Sequence, residues 1–163
     1  MLFTVIIILA VAMVVGPVLM MRPTPAQKNQ ERLRAAAFAK GIRVAVRNLP
    51  QQASEIEKSA SVPVYFFVPH NHKLNDDWFL LRTSYSHDIH FLHWWEWRGD
   101  MRASDPELAV LKQYLPALPE SVRALSVGGQ GVCIYWQERG GEKVLHQIIE
   151  LLEALNALQI QPD

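Results

Sequence analysis

Cysteine is almost absent from this chain, since Cys133 is the only one among 163 residues. A single thiol cannot form an internal disulfide, which agrees with a reducing compartment. The sequence also lacks a Lys-Ser/Thr pair after Gly128-Gly129-Gln130-Gly131, so these residues are typical of a hairpin turn rather than a phosphate-binding loop. Internal repeats and low-complexity tracts are missing too, so the pattern favours ordinary globular structure.

Charged side chains are absent from residues 1–21. A cleavable signal peptide normally has a basic start, a shorter apolar run and a small-residue cleavage site, and none of these is present. A buried core helix is the other alternative, but a uniformly apolar terminal run of this length is unusual there. The sequence therefore predicts a retained transmembrane anchor over residues 1–21.

Basic residues dominate the segment that follows, because residues 22–47 carry seven Lys or Arg and only one acid, Glu31. The positive-inside rule then predicts that the residues after Met21 lie in the cytoplasm. These charges either only set topology or also contact an anionic bilayer surface. The candidate membrane-surface residues are Arg22, Lys28, Arg32, Arg34 and Lys40. A nucleic-acid partner is not expected, since only Phe38 is interleaved with them.

Residues 22–41 form the predicted basic juxtamembrane helix. Thr24 and Gln27 match a capping box, and Gly41 is placed to end the helix. The apolar stripe of this helix is thin, which favours a stalk or a membrane-surface element over a core helix.

Residues 42–163 are predicted to form one cytoplasmic α+β domain. Period-two patterns predict strands over 42–47, 62–68, 78–83 and 90–98, with Pro63 indicating an edge strand. The clearest hairpin joins 122–127 to 132–137. Helical spacing predicts helices over 105–115 and 142–158. The predicted fold is thus a transmembrane helix, a stalk helix, and a mostly antiparallel sheet with two helices.

Five of the six histidines fall between positions 70 and 93. Zinc requires three or four convergent ligands, and nearby carboxylates would be needed to complete such a site. Ordinary hydrogen-bonding histidines, a metal site and a pH-responsive cluster are the three alternatives, and the prediction is no metal and no cofactor. The weak metal candidates are His70, His72, His87, His90 and His93.

Tryptophan is dense between Phe91 and Trp97. Strand alternation would place Trp95 and Trp97 on one face and Trp94 on the other, so the strand is either covered on both sides or meets a partner. The candidate partner surface comprises Trp94, Trp95 and Trp97. Cys133 is expected to be a buried structural thiol, and no catalytic signature is recognisable, so we predict a protein that is not an enzyme.

A family resemblance covers residues 2–46. The run Met20-Met21-Arg22-Pro23-Thr24-Pro25-Ala26-Gln27-Lys28, with the later step Lys40-Gly41-Ile42-Arg43-Val44, resembles YajC, the accessory subunit of the bacterial Sec preprotein translocase. The resemblance implies a single N-terminal helix in the bacterial inner membrane with a periplasmic N-terminus, a small cytoplasmic β domain, and the lipid bilayer and Sec membrane subunits as partners. Lys28 comes later than the basic residue of the family motif, and the family's glycine-rich stretch does not follow Val44.

The sequence therefore supports two functional expectations. One is an accessory or scaffold protein of the inner membrane, associated with Sec-dependent preprotein translocation. The alternative is a membrane-tethered cytoplasmic module, unrelated to translocation, that binds a ligand, a metal or a protein partner through its histidine- and tryptophan-rich region.

Overall fold

The computed structural model describes residues 1–20, 24–50, 61–68, 77–88 and 90–160. Two compact units are present, Met1–Arg32 and Leu33–Asp163. The first unit contains helix α1 (Leu2–Met20) and the beginning of helix α2 (Pro25–Ala39). The second unit contains the end of α2 and all of the sheet.

Helix α1 requires a correction to the predicted fold. Its described side chains, at residues 2–13 and at Val15, are exposed to solvent. No helix in the described ranges combines the length and the hydropathy needed to cross a membrane, so the predicted single transmembrane helix is wrong. The helix has 19 residues and includes Gly16 and Pro17, and at 1.5 Å per residue it extends about 28 Å, slightly less than a typical hydrocarbon core.

Helix α2 begins and ends as its sequence predicts. Thr24 and Gln27 form the capping box, because the Thr24 N–H donates to Gln27 Oε1 at 2.8 Å and the Gln27 N–H donates to Thr24 Oγ1 at 3.3 Å. At the other end, Gly41 adopts φ +78°. The Gly41 N–H donates to the Phe38 carbonyl and the Ile42 N–H donates to the Ala37 carbonyl, which is a Schellman ending.

The second unit is built on a six-stranded antiparallel sheet with strand order β1-β2-β6-β5-β3-β4. The predicted antiparallel sheet is therefore confirmed. Strand β2 pairs with both β1 and β6, so the prediction of an edge strand from Pro63 is wrong. The strands are β1 (Arg43–Asn48), β2 (Ser61–Phe66), β3 (Trp78–Arg82), β4 (Trp95–Arg98), β5 (Val122–Gly128) and β6 (Gly131–Trp136).

Helices cover one face of this sheet. The predicted α3 (Asp105–Tyr114) and α4 (Gly141–Ile160) are both present, and a short 3-10 turn, Leu115–Ala117, follows α3. Successive strand residues alternate between the helix-covered core and a smaller apolar cluster on the opposite face. For example, Leu80 and Ile134 face the helices, whereas Leu81 and Cys133 face away from them.

The end of α2 is part of the core rather than a stalk. Leu33 and Ala37 are fully buried in the main core. Arg34 donates two hydrogen bonds to the buried Glu138, from Nε at 2.6 Å and from Nη2 at 2.9 Å. The Tyr65 hydroxyl donates to the same carboxylate at 2.9 Å. This part of α2 therefore packs with the sheet, contrary to the expectation from its thin apolar stripe.

Candidate functional site

A tight turn precedes β4 and presents Trp94 to solvent. Leu92 and Trp95 form an isolated bridge, and the Trp95 N–H donates to the Leu92 carbonyl at 2.9 Å. Between them His93 adopts φ +49°, an uncommon conformation for a residue with a side chain. The strand predicted from residue 90 consequently begins only at Trp95. Strand alternation does not apply before that residue.

The three tryptophans of the candidate partner surface have different environments. Trp95 is 2 % exposed and belongs to the core. Trp97 is half-buried and meets Trp78 edge to face, with ring centroids 5.6 Å apart. Trp94 is 41 % exposed, although it is one of the largest apolar side chains in the chain. Only Trp94 therefore offers its ring to a partner.

Thr83 fixes the backbone of Trp94. The Thr83 N–H donates to the Trp94 carbonyl at 2.7 Å. Thr83 Oγ1 lies 2.9 Å from the same carbonyl oxygen and 2.6 Å from the Tyr85 carbonyl oxygen. Thr83 is itself 5 % exposed, so these hydrogen bonds are shielded from water. The exposed tryptophan is therefore held by a rigid backbone.

Arg82 joins β3 to the segment between α3 and β5. Its Nη1 donates to the Leu118 carbonyl at 3.0 Å and to the Pro119 carbonyl at 3.1 Å. The guanidinium also lies 5.5 Å from the centroid of the Trp95 ring, within cation–π range. Burial lowers the pKa of Arg82, and nearby Arg123 lowers it further, whereas Glu120 raises it. An arginine stays charged despite such pKa shifts, so a positive charge lies next to the Trp95 ring.

An open cleft of about 370 Å³ lies beside Trp94. Six of its eight lining residues are apolar, and the other two are the half-buried cation Arg82 and the exposed imidazole of His93. Sites of this size and composition bind ligands or side chains through apolar contact, with a few polar groups that set orientation. The lining residues are Arg82, Leu92, His93, Trp94, Trp95, Leu115, Pro116 and Leu118.

The outer edge of β4 is partly blocked next to this cleft. The Phe91 N–H donates to the Trp95 carbonyl at 2.8 Å, and the Leu92 N–H approaches the same oxygen at 3.4 Å. A partner strand could not pair with Trp95 without displacing these contacts. The geometry thus favours insertion of a side chain into the cleft over addition of a strand to the sheet.

The histidine candidates are only partly brought together. The rings of His87 and His90 have centroids 6.0 Å apart, and His90 Nδ1 lies 2.9 Å from the His93 carbonyl oxygen. Among the described residues, no group of three or more His, Cys, Asp or Glu side chains is arranged to hold a metal ion. His70 and His72 lie outside the described residues, so the structure does not report on them.

The basic candidates for a membrane surface also differ from one another. Lys28, Arg32 and Lys40 are exposed, while Arg22 lies outside the described residues. The Arg34 guanidinium pairs with the buried Glu138, and this pairing raises its pKa. Arg34 therefore has a structural role within the second unit.

Arg82 and Leu118 line the cleft and Thr83 holds the Trp94 backbone, and the sequence pattern predicts none of these roles. The Arg82–Leu118 hydrogen bond spans 36 positions of the chain, and the Thr83–Trp94 bond spans 11. No local pattern indicates such contacts. The high density of tryptophan around the beginning of β4 indicates Trp94 as a candidate. It does not indicate Arg82 or Thr83.

Comparisons with known proteins add no further assignment. No protein-family model matches the chain, and neither a curated protein nor a solved structure matches it.

Proposed function

We propose that this chain is a binding protein that captures an apolar side chain of a protein partner in the cleft beside Trp94. The proposal rests on the environment of Trp94. Its side chain is 41 % exposed beside the cleft, and its backbone carbonyl is hydrogen-bonded to Thr83. An exposed tryptophan next to an apolar depression is a common energetic centre of protein interfaces.

The chemistry of the cleft specifies the kind of partner. Leu92, Pro116 and Leu118 supply apolar surface, and Arg82 is occupied by backbone carbonyls. An apolar anchor from a partner would bury surface against these groups without leaving a polar group unsatisfied. The partner is therefore a polypeptide with an exposed aromatic or aliphatic side chain, rather than a metal ion.

Site-specific photocrosslinking tests this proposal. A photoreactive amino acid is placed at position 94 of the full-length chain, and the crosslinked partner segment is identified by mass spectrometry. Position 38 is the matched control, because Phe38 is an exposed aromatic outside the cleft. We expect a discrete partner adduct from position 94 and none from position 38. Identical adduct patterns from both positions would contradict the proposal.

A role beside the Sec translocase and a location at the bacterial inner membrane both remain predictions. They rest on the resemblance over residues 2–46 and on the charge pattern, and no comparison supports them. Crosslinking from the exposed Lys28 tests the first prediction. Recovery of translocase membrane subunits would support it, and crosslinked products without them would contradict it.

A further inference from the structure

A second cavity of about 280 Å³ lies on the sheet face away from the helices. It is located where β5 and β6 meet in their glycine-rich turn. The polar side chains that line it are Arg47, Asp77, Ser126, Gln130, Cys133 and Tyr135. Neither the family resemblance nor the Trp94 cleft uses these residues, so the cavity needs its own explanation.

Arg47 supplies the positive end of the cavity. Its guanidinium lies 4.9 Å from the centroid of the Phe66 ring, and Nη1 donates to Cys133 Sγ at 3.6 Å. Thiol sulfur is a weak acceptor. Among the described residues, no carboxylate lies within ion-pair distance of Arg47. The planar fork of a guanidinium fits a carboxylate with two parallel hydrogen bonds, so Arg47 is suited to bind one.

Neutral donors surround that cation. Burial raises the pKa of the Cys133 thiol and of the Tyr135 phenol, although Arg47 lowers both. Both groups consequently keep their protons at neutral pH. The hydroxyls of Ser126 and Tyr135 line the same cavity and add hydrogen-bond donors for an anionic group.

Asp77 supplies the negative end. Its Oδ1 accepts a hydrogen bond from the Gly129 N–H at 3.1 Å. Gly128 leaves the space for this carboxylate, because a Cβ at that position would lie 2.5 Å from Asp77 Oδ1. Asp77 is exposed, so a bound cation could reach it from the cavity.

The two charged residues contact different parts of the cavity wall. Arg47 contacts Cys133 on β6, whereas Asp77 contacts the turn that joins β5 to β6. A small molecule with a carboxylate and an ammonium group can therefore contact both residues at once, because a hydrogen bond at each end adds about 3 Å to its own length.

We propose that this cavity binds a small zwitterion, with its carboxylate on Arg47 and its ammonium group near Asp77. The class comprises amino acids and short peptides, which carry one carboxylate and one ammonium group. The aromatic rings of Phe79 and Tyr135 provide apolar walls for the connecting chain.

The test titrates the ¹⁵N-labelled full-length chain, in mild detergent, with 6-aminohexanoate and follows the Gly129 amide resonance. Two probes of the same chain length serve as controls: N-acetyl-6-aminohexanoate lacks the cation and 6-aminohexanamide lacks the carboxylate. We expect saturable binding of 6-aminohexanoate and about tenfold weaker binding of either control. Equal binding of the acetylated probe would overturn the proposal in favour of a simple anion site. The absence of any saturable shift would overturn it altogether.

Substitutions of Arg47 and Asp77 then test which charged group of the ligand each residue binds. We expect Arg47→Gln to abolish binding and Asp77→Asn to reduce binding of 6-aminohexanoate to the level of the acetylated probe. Arg43→Gln, at an exposed arginine of the same strand, is the matched control and should bind normally. Arg47→Gln also removes the contact of the guanidinium with Phe66. Arg47→Lys is therefore a second variant, which keeps the positive charge but loses the planar guanidinium. A folded Arg47→Lys chain that binds like the wild type would also overturn the proposal.

Discussion

The backbone N–H of Thr83 donates to the carbonyl oxygen of Trp94 at 2.7 Å, and the Thr83 hydroxyl lies 2.9 Å from the same oxygen. Thr83, a buried residue directly after β3, thereby fixes the backbone of an exposed tryptophan in the turn before β4. Because this backbone is held before any partner arrives, little backbone entropy should be lost when Trp94 binds.

The first prediction concerns the Thr83 hydroxyl. Thr83→Val keeps the shape of the side chain but removes its single O–H donor, which lies within hydrogen-bond distance of the Trp94 and Tyr85 carbonyl oxygens. We expect a loss of about 1–2 kcal/mol in the free energy of unfolding, measured by urea denaturation. Thr83→Ser keeps the hydroxyl and should lose less than Thr83→Val. Equal losses for the two variants would show that the hydroxyl contributes nothing.

The second prediction concerns alkaline pH. Burial raises the pKa of Tyr65 well above its ordinary value of 10.0, and the neighbouring Glu138 carboxylate raises it further. Above pH 10 the unfolded chain therefore loses this proton while the folded chain keeps it, so stability falls as the pH rises. We expect Tyr65→Phe to make the decline in Tm between pH 9 and pH 11 shallower. An unchanged slope would contradict the role of Tyr65.

The third prediction concerns Glu107 at the beginning of α3. Its carboxylate accepts hydrogen bonds from the Ser104 N–H, Trp78 Nε1 and Gln159 Nε2. In Glu107→Gln an amide replaces one oxygen, so an N–H group faces at least one of these donors. We expect a loss of about 2–3 kcal/mol in the free energy of unfolding. Gln113, which is exposed on the same helix, gives the control variant Gln113→Ala, which should change stability little.

Local sequence signals predicted the parts of the fold that local physics determines. The capping box of Thr24 and Gln27, the glycine-rich turn of the β5–β6 hairpin and the apolar face of α4 all depend on residues close in sequence. Such signals need no knowledge of the tertiary structure.

The other features depend on contacts or conformations that no local sequence pattern indicates. His93 adopts a positive φ directly before β4, which begins only at Trp95, and residues 90–95 contain neither the glycine nor the asparagine that usually indicates such a turn. Arg34 lies among basic residues that predict a membrane surface, and no local pattern indicates its pairing with Glu138, 104 positions away. The supports of Trp94 were missed for the same reason, since Arg82 and Thr83 act across the chain.

Replacement of Trp94 tests the central claim most directly. The affinity of the partner segment captured at position 94 is measured for the wild type, Trp94→Ala and the control Phe38→Ala, by isothermal titration calorimetry. We predict binding at least about thirtyfold weaker for Trp94→Ala, a loss of about 2 kcal/mol, with Tm close to that of the wild type. Phe38→Ala should bind like the wild type. A folded Trp94→Ala chain with unchanged affinity would contradict the account.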